Sequence, residues 1–287
     1  MTDEQHPSIA DRRRTFHALH ASGCFVIPNP WDVGSAVALE SLGFKALAST
    51  SSGFAWSRAH ADNTLDRDTV LAHLADLVAA TRVPINADFE GGFAPDPAGV
   101  ARSVAMAVET GVAGLSIEDS TGDAARPLHD LDAAVERVRA ARRAIDRAGG
   151  DTLLVGRAEC FLAGRPDLAE TIVRLRAYSS AGADCLYAPG IHTREQVEAV
   201  VAAVKPKPVN LLIGSASEWS VAEVGAMGVR RISVGGAMAR AAWAGFLRAA
   251  RGIAEAGRFD GFAGATPGKE LNAFFQGAAA ARDGKAR

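Results

Sequence analysis

The feature that most constrains this chain is a joint that returns four times. An alanine-rich stretch meets a glycine, and two or three residues later a short apolar run begins. The joint is found in "SLGFKALAST", "ETGVAGLSIED", "SAGADCLYAP" and "AMGVRRISVGG", with Gly43, Gly111, Gly182 and Gly228 at the hinge. Glycine just past a helix adopts the left-handed conformation without a Cβ penalty, so each joint reads as a helix ending and a strand beginning. The runs are continuously apolar rather than alternating, as expected of strands covered on both faces. Eight can be collected: Phe25–Asn29, Ala46–Thr50, Pro84–Asp88, Gly114–Glu118, Leu153–Arg157, Cys185–Pro189, Val209–Ile213 and Arg231–Gly235. Helical patterns follow them, most clearly at Arg67–Thr81, Pro97–Thr110, Leu131–Ala148, Leu168–Ala181, Arg194–Val204 and Ala237–Ala256. Eight strands alternating with eight helices predict a (β/α)8 TIM barrel. A doubly wound open sheet is the alternative. It would carry a glycine-rich first turn, and "NPWDVGSA" has no GxGxxG.

At 287 residues the chain suits one such barrel with additions. The expected organisation is a single barrel domain over 1–287. Residues 1–22 form a helical lead-in, and residues 257–287 form a Gly/Pro-broken linker with one more helix near Lys269–Ala281. That helix carries Leu271, Phe274 and Phe275 on one face. The face packs on its own barrel or is exchanged with a neighbouring subunit. A net charge of −2 points to neither nucleic acid nor an anionic membrane. No apolar run reaches membrane-spanning length, and the N-terminus lacks the apolar core of a signal peptide. Cys24, Cys160 and Cys185 are scattered, which fits reduced thiols in a cytoplasm and argues against zinc or a disulfide framework.

In such a barrel the C-terminal strand ends form the active-site mouth. Strand 1 delivers Asn29, Trp31 and Asp32, and strand 2 delivers Ser49 to Phe54. Strand 3, in "PINADFEGGF", delivers Asp88 and Glu90; strand 4 delivers Glu118, Asp119 and Ser120. Strand 5 gives Arg157 and Glu159, strand 6 gives Tyr187, and strand 8 gives "GGAMAR". Asp62, after strand 2, is a further acid within reach. Like charges gathered in a desolvated pocket repel unless a cation neutralises them. All-oxygen donors favour a hard ion, Mg²⁺ or Mn²⁺. Arg157 offers a planar fork for a carboxylate or phosphonate, and "TSSG" offers hydroxyls and a close backbone approach. A metal beside an anion clamp suits a small α-keto acid whose enolate the metal stabilises. Plainer readings stand beside these. Asp32, Asp119 and Glu159 read equally well as helix caps, and Arg157 with Glu118 as a buried ion pair without metal. Trp31 and Phe54 read as core or as substrate wall, His60 and His129 as solvated loop residues. "GGAMAR" could hold a phosphate at a helix N-terminus.

The ordered set "PNPWDVGSA", "STSSG", "DFEGGF", "GLSIED", "GRAECFLAGR", "AGADCLYAPG" and "GVRRISVG" resembles the isocitrate lyase/phosphoenolpyruvate mutase superfamily over about Phe25 to Ala254. That resemblance implies a Mg²⁺-dependent barrel that makes or breaks C–C or C–P bonds beside an α-keto carboxylate. It implies Asp88 as the direct metal ligand, with Glu90, Glu118 and Asp62 acting through waters. The substrate clamp falls on Ser52, Gly53 and Phe54, and the strand-5 arginine on Arg157. With Trp31 and Tyr187 these form the expected substrate site, and Arg157 and Glu118 its catalytic pair. The superfamily often swaps a barrel helix between subunits, which implies a homotetramer.

The departures bear on the reaction. Isocitrate and methylisocitrate lyases carry a Lys-Lys/Arg-Cys-Gly-His loop after strand 4, whereas here "STGDAARPLHDLD" stands in that place. The lysine- and asparagine-bearing gate of the mutase and phosphonopyruvate hydrolase subgroups is absent as well. The expected function is a Mg²⁺-dependent lyase that cleaves a C–C bond of a small α-keto or 2-hydroxy di- or tricarboxylate, by decarboxylation or retro-aldol chemistry. Decarboxylation needs the least additional acid chemistry. The alternatives are a C–P phosphonomutase or phosphonopyruvate hydrolase, and a non-catalytic α-keto acid binder.

Overall fold

The computed structural model describes residues 7–282. The first six residues of the expected lead-in, and the last five of the C-terminal segment, lie outside them. Eight parallel strands form one sheet: β1 (Phe25–Ile27), β2 (Leu47–Ala48), β3 (Ile85–Asp88), β4 (Gly114–Glu118), β5 (Leu153–Arg157), β6 (Cys185–Tyr187), β7 (Val209–Leu212) and β8 (Arg231–Ser233). Their order runs β1-β8-β7-β6-β5-β4-β3-β2. The Ala48 N–H donates to the Pro28 carbonyl at 3.0 Å, bringing the two sheet ends together. With helices between the strands, this is the expected (β/α)8 barrel.

The helices are α1 (Ile9–Ala21), α2 (Val33–Ser41), α3 (Ser51–Ser57), α4 (Arg67–Ala80), α5 (Pro97–Glu109) and α6 (Leu131–Arg147). They continue with α7 (Leu168–Ser180), α8 (Arg194–Val204), α9 (Val221–Ala226), α10 (Ala237–Ala256) and α11 (Gly268–Arg282). The hinge glycines all take positive φ, from +86° at Gly43 to +105° at Gly182.

Several strands are shorter than their apolar runs because the mouth residues leave the ladder. Pro28 has no N–H to donate, and Asn29 turns its side chain to accept from the Val234 and Gly235 N–H groups at 2.9 Å each. Thr50 already caps α3, accepting from the Gly53 N–H. Gly235 takes φ +53° and ends β8.

Two apolar layers hold the barrel. The larger lies between strands and helices, where Leu74, Leu115, Leu154, Leu186 and Val200 are fully buried. The smaller fills the barrel interior, and α1 closes its floor with Phe16, which is 0% exposed and packs with Ile27, Leu153 and Val155. Gly114 has no room for a side chain because Phe16 lies 2.6 Å from where its Cβ would stand. Arg12 and Arg13 fix α1 in place. Arg12 donates to the Val78 carbonyl, and Arg13 donates to the Val108 and Val112 carbonyls.

α10 departs from the pattern. It is 20 residues long, yet Ala239 is its one buried residue. Trp243, Phe246 and Leu247 remain exposed along it. α11 touches its own barrel through Phe275 against Gly34 and through Arg282 donating to the Ala80 carbonyl at 3.4 Å, but none of its residues is buried.

The plug yields a test. Replacing Phe16 with Ala should lower unfolding free energy by about 3–5 kcal/mol, the usual cost of a buried aromatic truncation. Chemical denaturation measures it, and a loss under about 1 kcal/mol would show that α1 is dispensable to the barrel.

Candidate functional site

Strand register sets the site. Glu118 pairs with Arg157, Arg157 with Tyr187, Tyr187 with Asn210, and Asn210 with Arg231. Residues in register on parallel strands point to the same side of the sheet, and these point inward. They border two connected spaces sharing Ser51, Asp62, Arg157 and Leu162: a mouth of about 370 Å³ and a well of about 180 Å³.

Arg157 is the hub. Its Nη1 donates to Asp88 Oδ1 at 3.0 Å and lies 3.1 Å from Glu118 Oε2, and its Nε reaches Glu159 Oε1 at 2.5 Å. Its guanidinium carbon stands 5.2 Å from the centre of the Tyr187 ring. Burial opposes its charge, but Glu118, Glu159 and Asp88 together hold it firmly protonated. Asp88 Oδ2 in turn accepts from the Ser51 N–H at 3.0 Å, tying β3 to the start of α3.

The acids outnumber the cation. Burial first, then Asp88 and Asp62, push the Glu90 carboxyl up to about 8. Burial likewise lifts Glu118 to about 8, with Glu159, Asp88 and Glu90 adding to the effect against Arg157. Asp62 keeps an exposed surface at the rim, yet crowding around its carboxyl and the Asp88 charge raise it too. Glu90 adopts φ +48°, a left-handed conformation that costs a non-glycine residue energy. Phe89, fully buried beside it, takes the core position, and the turn frees Glu90 to line the outer cavity together with Glu118.

The structure thus brings Asp88, Glu118, Arg157 and Tyr187 together, with Glu90 and Asp62 bordering the same region. Ser52 lines the well. The rest of the expected clamp lies elsewhere. Gly53 is packed against Thr50, Trp31 and Ala239, and its N–H is taken by Thr50. Phe54 stacks on His73 at 3.7 Å between ring centres. Trp31 lines an outer apolar groove with Trp243 and Phe246. Among the described residues, no three His, Cys, Asp or Glu side chains close on a single point as a ready metal cage.

The cap readings divide. Asp32 does cap α2, accepting from Ser35. Asp119 is instead a buried strut, accepting from Arg174 Nη1, the Tyr178 hydroxyl and the Glu159 N–H. It positions Glu159, and Glu159 positions Arg157. At the start of "GGAMAR" the Gly235 N–H, like that of Val234 before it, donates to Asn29 Oδ1. Sequence reasoning passed over Asn86, Asn210, Arg231 and Ser233, which line the well. The signal was present: "PINAD", "PVNLL" and "RRISV" each place a polar residue within an apolar strand.

The loop after β4 forms a small hairpin, with Ser120 bridging Leu128 and the Thr121 N–H donating to the Pro127 carbonyl. It brings Ser120, Gly122 and Asp123 to the mouth. None of the three cysteines lines either space: Cys160 is 0% exposed, Cys185 is buried in the barrel interior, and Cys24 packs against Gly225.

Known proteins share this layout. The family model described as phosphoenolpyruvate phosphomutase matches residues 16–254. An oxaloacetate decarboxylase of Paraburkholderia xenovorans (strain LB400) is 31% identical over 217 residues, covering 72% of this chain and 69% of its own. A candidate lyase/mutase from Burkholderia cenocepacia J2315 is 47% identical and superposes with a TM-score of 0.90, over 93% of this chain and 97% of its own. Oxaloacetate acetylhydrolase in complex with its product oxalate is 27% identical, with a TM-score of 0.83 over 97% of this chain and 99% of its own. With a match that begins in the floor helix and takes in every strand end described above, the chain belongs to the phosphoenolpyruvate phosphomutase family of the isocitrate lyase/phosphoenolpyruvate mutase superfamily.

Proposed function

We propose that this protein is a divalent-metal-dependent carbon–carbon lyase whose reaction is decarboxylation of an oxaloacetate-like α-keto dicarboxylate. The observation that carries the reading is the make-up of the cavity wall: carboxylates gathered around the Arg157 guanidinium, and no thiol. Two of the similar proteins named above act on oxaloacetate by name, which supports the substrate class.

The residues present fit Mg²⁺. The donors are all oxygen, and Asp62, Asp88, Glu90, Glu118 and Glu159 crowd around a single Arg157, so their raised carboxyls can ionise together only with a further cation. Mg²⁺ keeps several waters and needs only one or two carboxylates directly, so a closed cage is not required. Asp88 would hold it directly, with Glu90, Glu118 and Asp62 receiving its waters; Mn²⁺ suits the same donors. When bound, the ion supplies a Lewis acid that draws charge from the keto oxygen.

The chain's own groups do the rest. Arg157 Nη2 has no hydrogen-bond partner among the described residues and lines both spaces, so it can take the substrate's keto-acid carboxylate. The Ser52 hydroxyl, 3.1 Å from the Thr50 hydroxyl, supplies a second contact. As the bond to the distal carboxylate breaks, CO₂ departs and the electron pair passes towards the keto oxygen. Burial pushes the Tyr187 hydroxyl up to about 12, so it stays protonated at neutral pH and available as a donor. A departing CO₂ needs no proton, and the enolate it leaves takes one at its terminal carbon, from water or the Tyr187 hydroxyl, to give the pyruvate-like product. Retro-aldol release of an acid carbanion needs a proton on the departing fragment itself, and the cysteine that other superfamily members use has no counterpart at this mouth.

Pyruvate release from oxaloacetate with Mg²⁺ should exceed the metal-only rate, while glyoxylate release from isocitrate stays at background and phosphonopyruvate is not turned over. Asp88→Ala should lower the oxaloacetate rate by more than about 100-fold and abolish Mg²⁺ binding in calorimetry while the protein stays folded. Unchanged Mg²⁺ affinity in that variant would refute the metal assignment.

A second expectation follows from the raised carboxyls. Glu90 and Glu118 hold protons below about pH 8, and a cation needs them ionised. Mg²⁺ binding at pH 7 should therefore release protons, and its affinity should rise as pH climbs towards 8. Calorimetry in buffers of different ionisation enthalpy measures the release; a proton count of zero at pH 7 would contradict it.

The bare face of α10 supports a homotetramer in which that helix is covered by a neighbouring copy. Light scattering at micromolar concentration should give four chains, and Phe246→Asp should lower that number. A wild-type monomer would end the idea.

A further inference from the structure

Below the site just described, the well ends on a second guanidinium that the proposed chemistry does not use. Arg231 opens β8, whereas Arg157 closes β5, so the two stand at opposite ends of their strands and border the same cavity. Arg231 is 3% exposed. Among the described residues it has no carboxylate partner. Its Nε donates to Asn210 Oδ1 at 2.7 Å and its Nη1 to Asn86 Oδ1 at 3.2 Å, while its Nη2 makes no hydrogen bond. The two amides are themselves fixed: Asn210 Nδ2 donates to the Ser233 hydroxyl at 2.9 Å, and Asn86 Nδ2 donates to the Ala87 carbonyl.

This arrangement is costly as mere packing. A buried charge without a counter-ion is strongly disfavoured, and barrel interiors of this kind are usually filled by branched apolar side chains. Here Asn86, Ser116, Asn210, Arg231 and Ser233 make the lower well polar. Neutral amides orient the guanidinium without neutralising it, which leaves its positive charge for a visitor. Asp88, Glu118 and Glu159 are engaged with Arg157, and among the described residues no carboxylate pairs with Arg231.

We propose that Arg231, held by Asn86 and Asn210, is the anchor for the second carboxylate of a dicarboxylate substrate, lying at the bottom of the well while Arg157 holds the keto-acid end. This rests on the reading of the mouth as an α-keto acid site and adds a reason for the enzyme to prefer two carboxylates over one. A guanidinium aimed at the distal group selects against a substrate bearing a methyl there, because the buried charge would then stay unpaired.

The test uses three probes with Mg²⁺ present: oxalate, which spans only the upper clamp; 3,3-difluorooxaloacetate, which carries both carboxylates; and 2-oxobutyrate, which has a methyl in place of the second. Wild-type protein should bind difluorooxaloacetate at least tenfold more tightly than 2-oxobutyrate. Arg231→Met should erase that preference and leave oxalate affinity within twofold, so that oxalate binding doubles as the check on folding. Arg231→Lys, which keeps the charge but loses the fork, should retain part of the preference. A wild type that binds oxalate yet shows no preference for the dicarboxylate overturns the Arg231 assignment alone. So does an Arg231→Met variant that keeps the preference, or one in which oxalate affinity falls as far as that of difluorooxaloacetate, since the residue would then be a structural brace. A wild type that binds none of the three removes the reading of the mouth, and this one with it.

Discussion

The position of the Arg157 guanidinium is the constraint on which the rest of the mouth depends. It gathers carboxylates from β3, β4 and the segment after β5, at 3.0, 3.1 and 2.5 Å. A guanidinium is planar and its donors are fixed in a fork, so three acids around it are set in angle as well as distance. Removing it would leave buried carboxylates without a partner, a loss of about 3–5 kcal/mol in comparable cases. The strut beneath it extends outward. Asp119 holds the backbone of Glu159 and is itself braced by Arg174 and Tyr178. A functional hub at the strand ends is therefore tied into helix α7, the outer layer of the barrel.

This explains why so polar a barrel interior is tolerated. The apolar layer between strands and helices is the larger of the two, so folding rests mainly on it and needs from the barrel interior only the apolar floor around Phe16. Phe16, Leu153 and Val155 fill the lower interior near the floor, and the space above is left for Asn, Ser, Arg and acids. The fold separates its two tasks: hydrophobic burial on the outside of the strands, chemistry on the inside.

Much of this was legible in the chain, and the limits are physical. The strands and helices could be read because continuous apolar runs and glycine hinges report local burial, and four elements, β4, β5, α8 and α10, have the bounds expected from the sequence. The strand ends were over-extended where mouth residues such as Asn29 and Thr50 exchange ladder hydrogen bonds for side-chain ones. Asp88, Glu118 and Arg157 could be found because they sit at strand termini. Trp31 and Phe54 sit at strand ends too, yet they face an outer groove and His73, since a residue past a strand is no longer bound by its alternation. Asn86, Asn210 and Arg231 lie inside strands, where the inward face is decided by register, and register is a relation between segments that no single segment states.

Register also bears on the choice of reaction. Cys160 follows β5 by only three residues, close in sequence to the mouth. It is wholly buried, and burial raises its thiol above the usual range. A thiol so placed neither reaches a substrate nor gives up its proton readily. The hairpin after β4 presents a hydroxyl, a glycine and an aspartate to the cavity instead. A serine hydroxyl is a weak acid, and a glycine has no side-chain proton to give. Neither matches the task of protonating a carbanion released into the mouth. What the wall does offer is a guanidinium fixed among carboxylates and a tyrosine that keeps its proton. Chemistry whose leaving fragment is already neutral, as CO₂ is, asks only for one proton at the enolate carbon, which the Tyr187 hydroxyl or water can give.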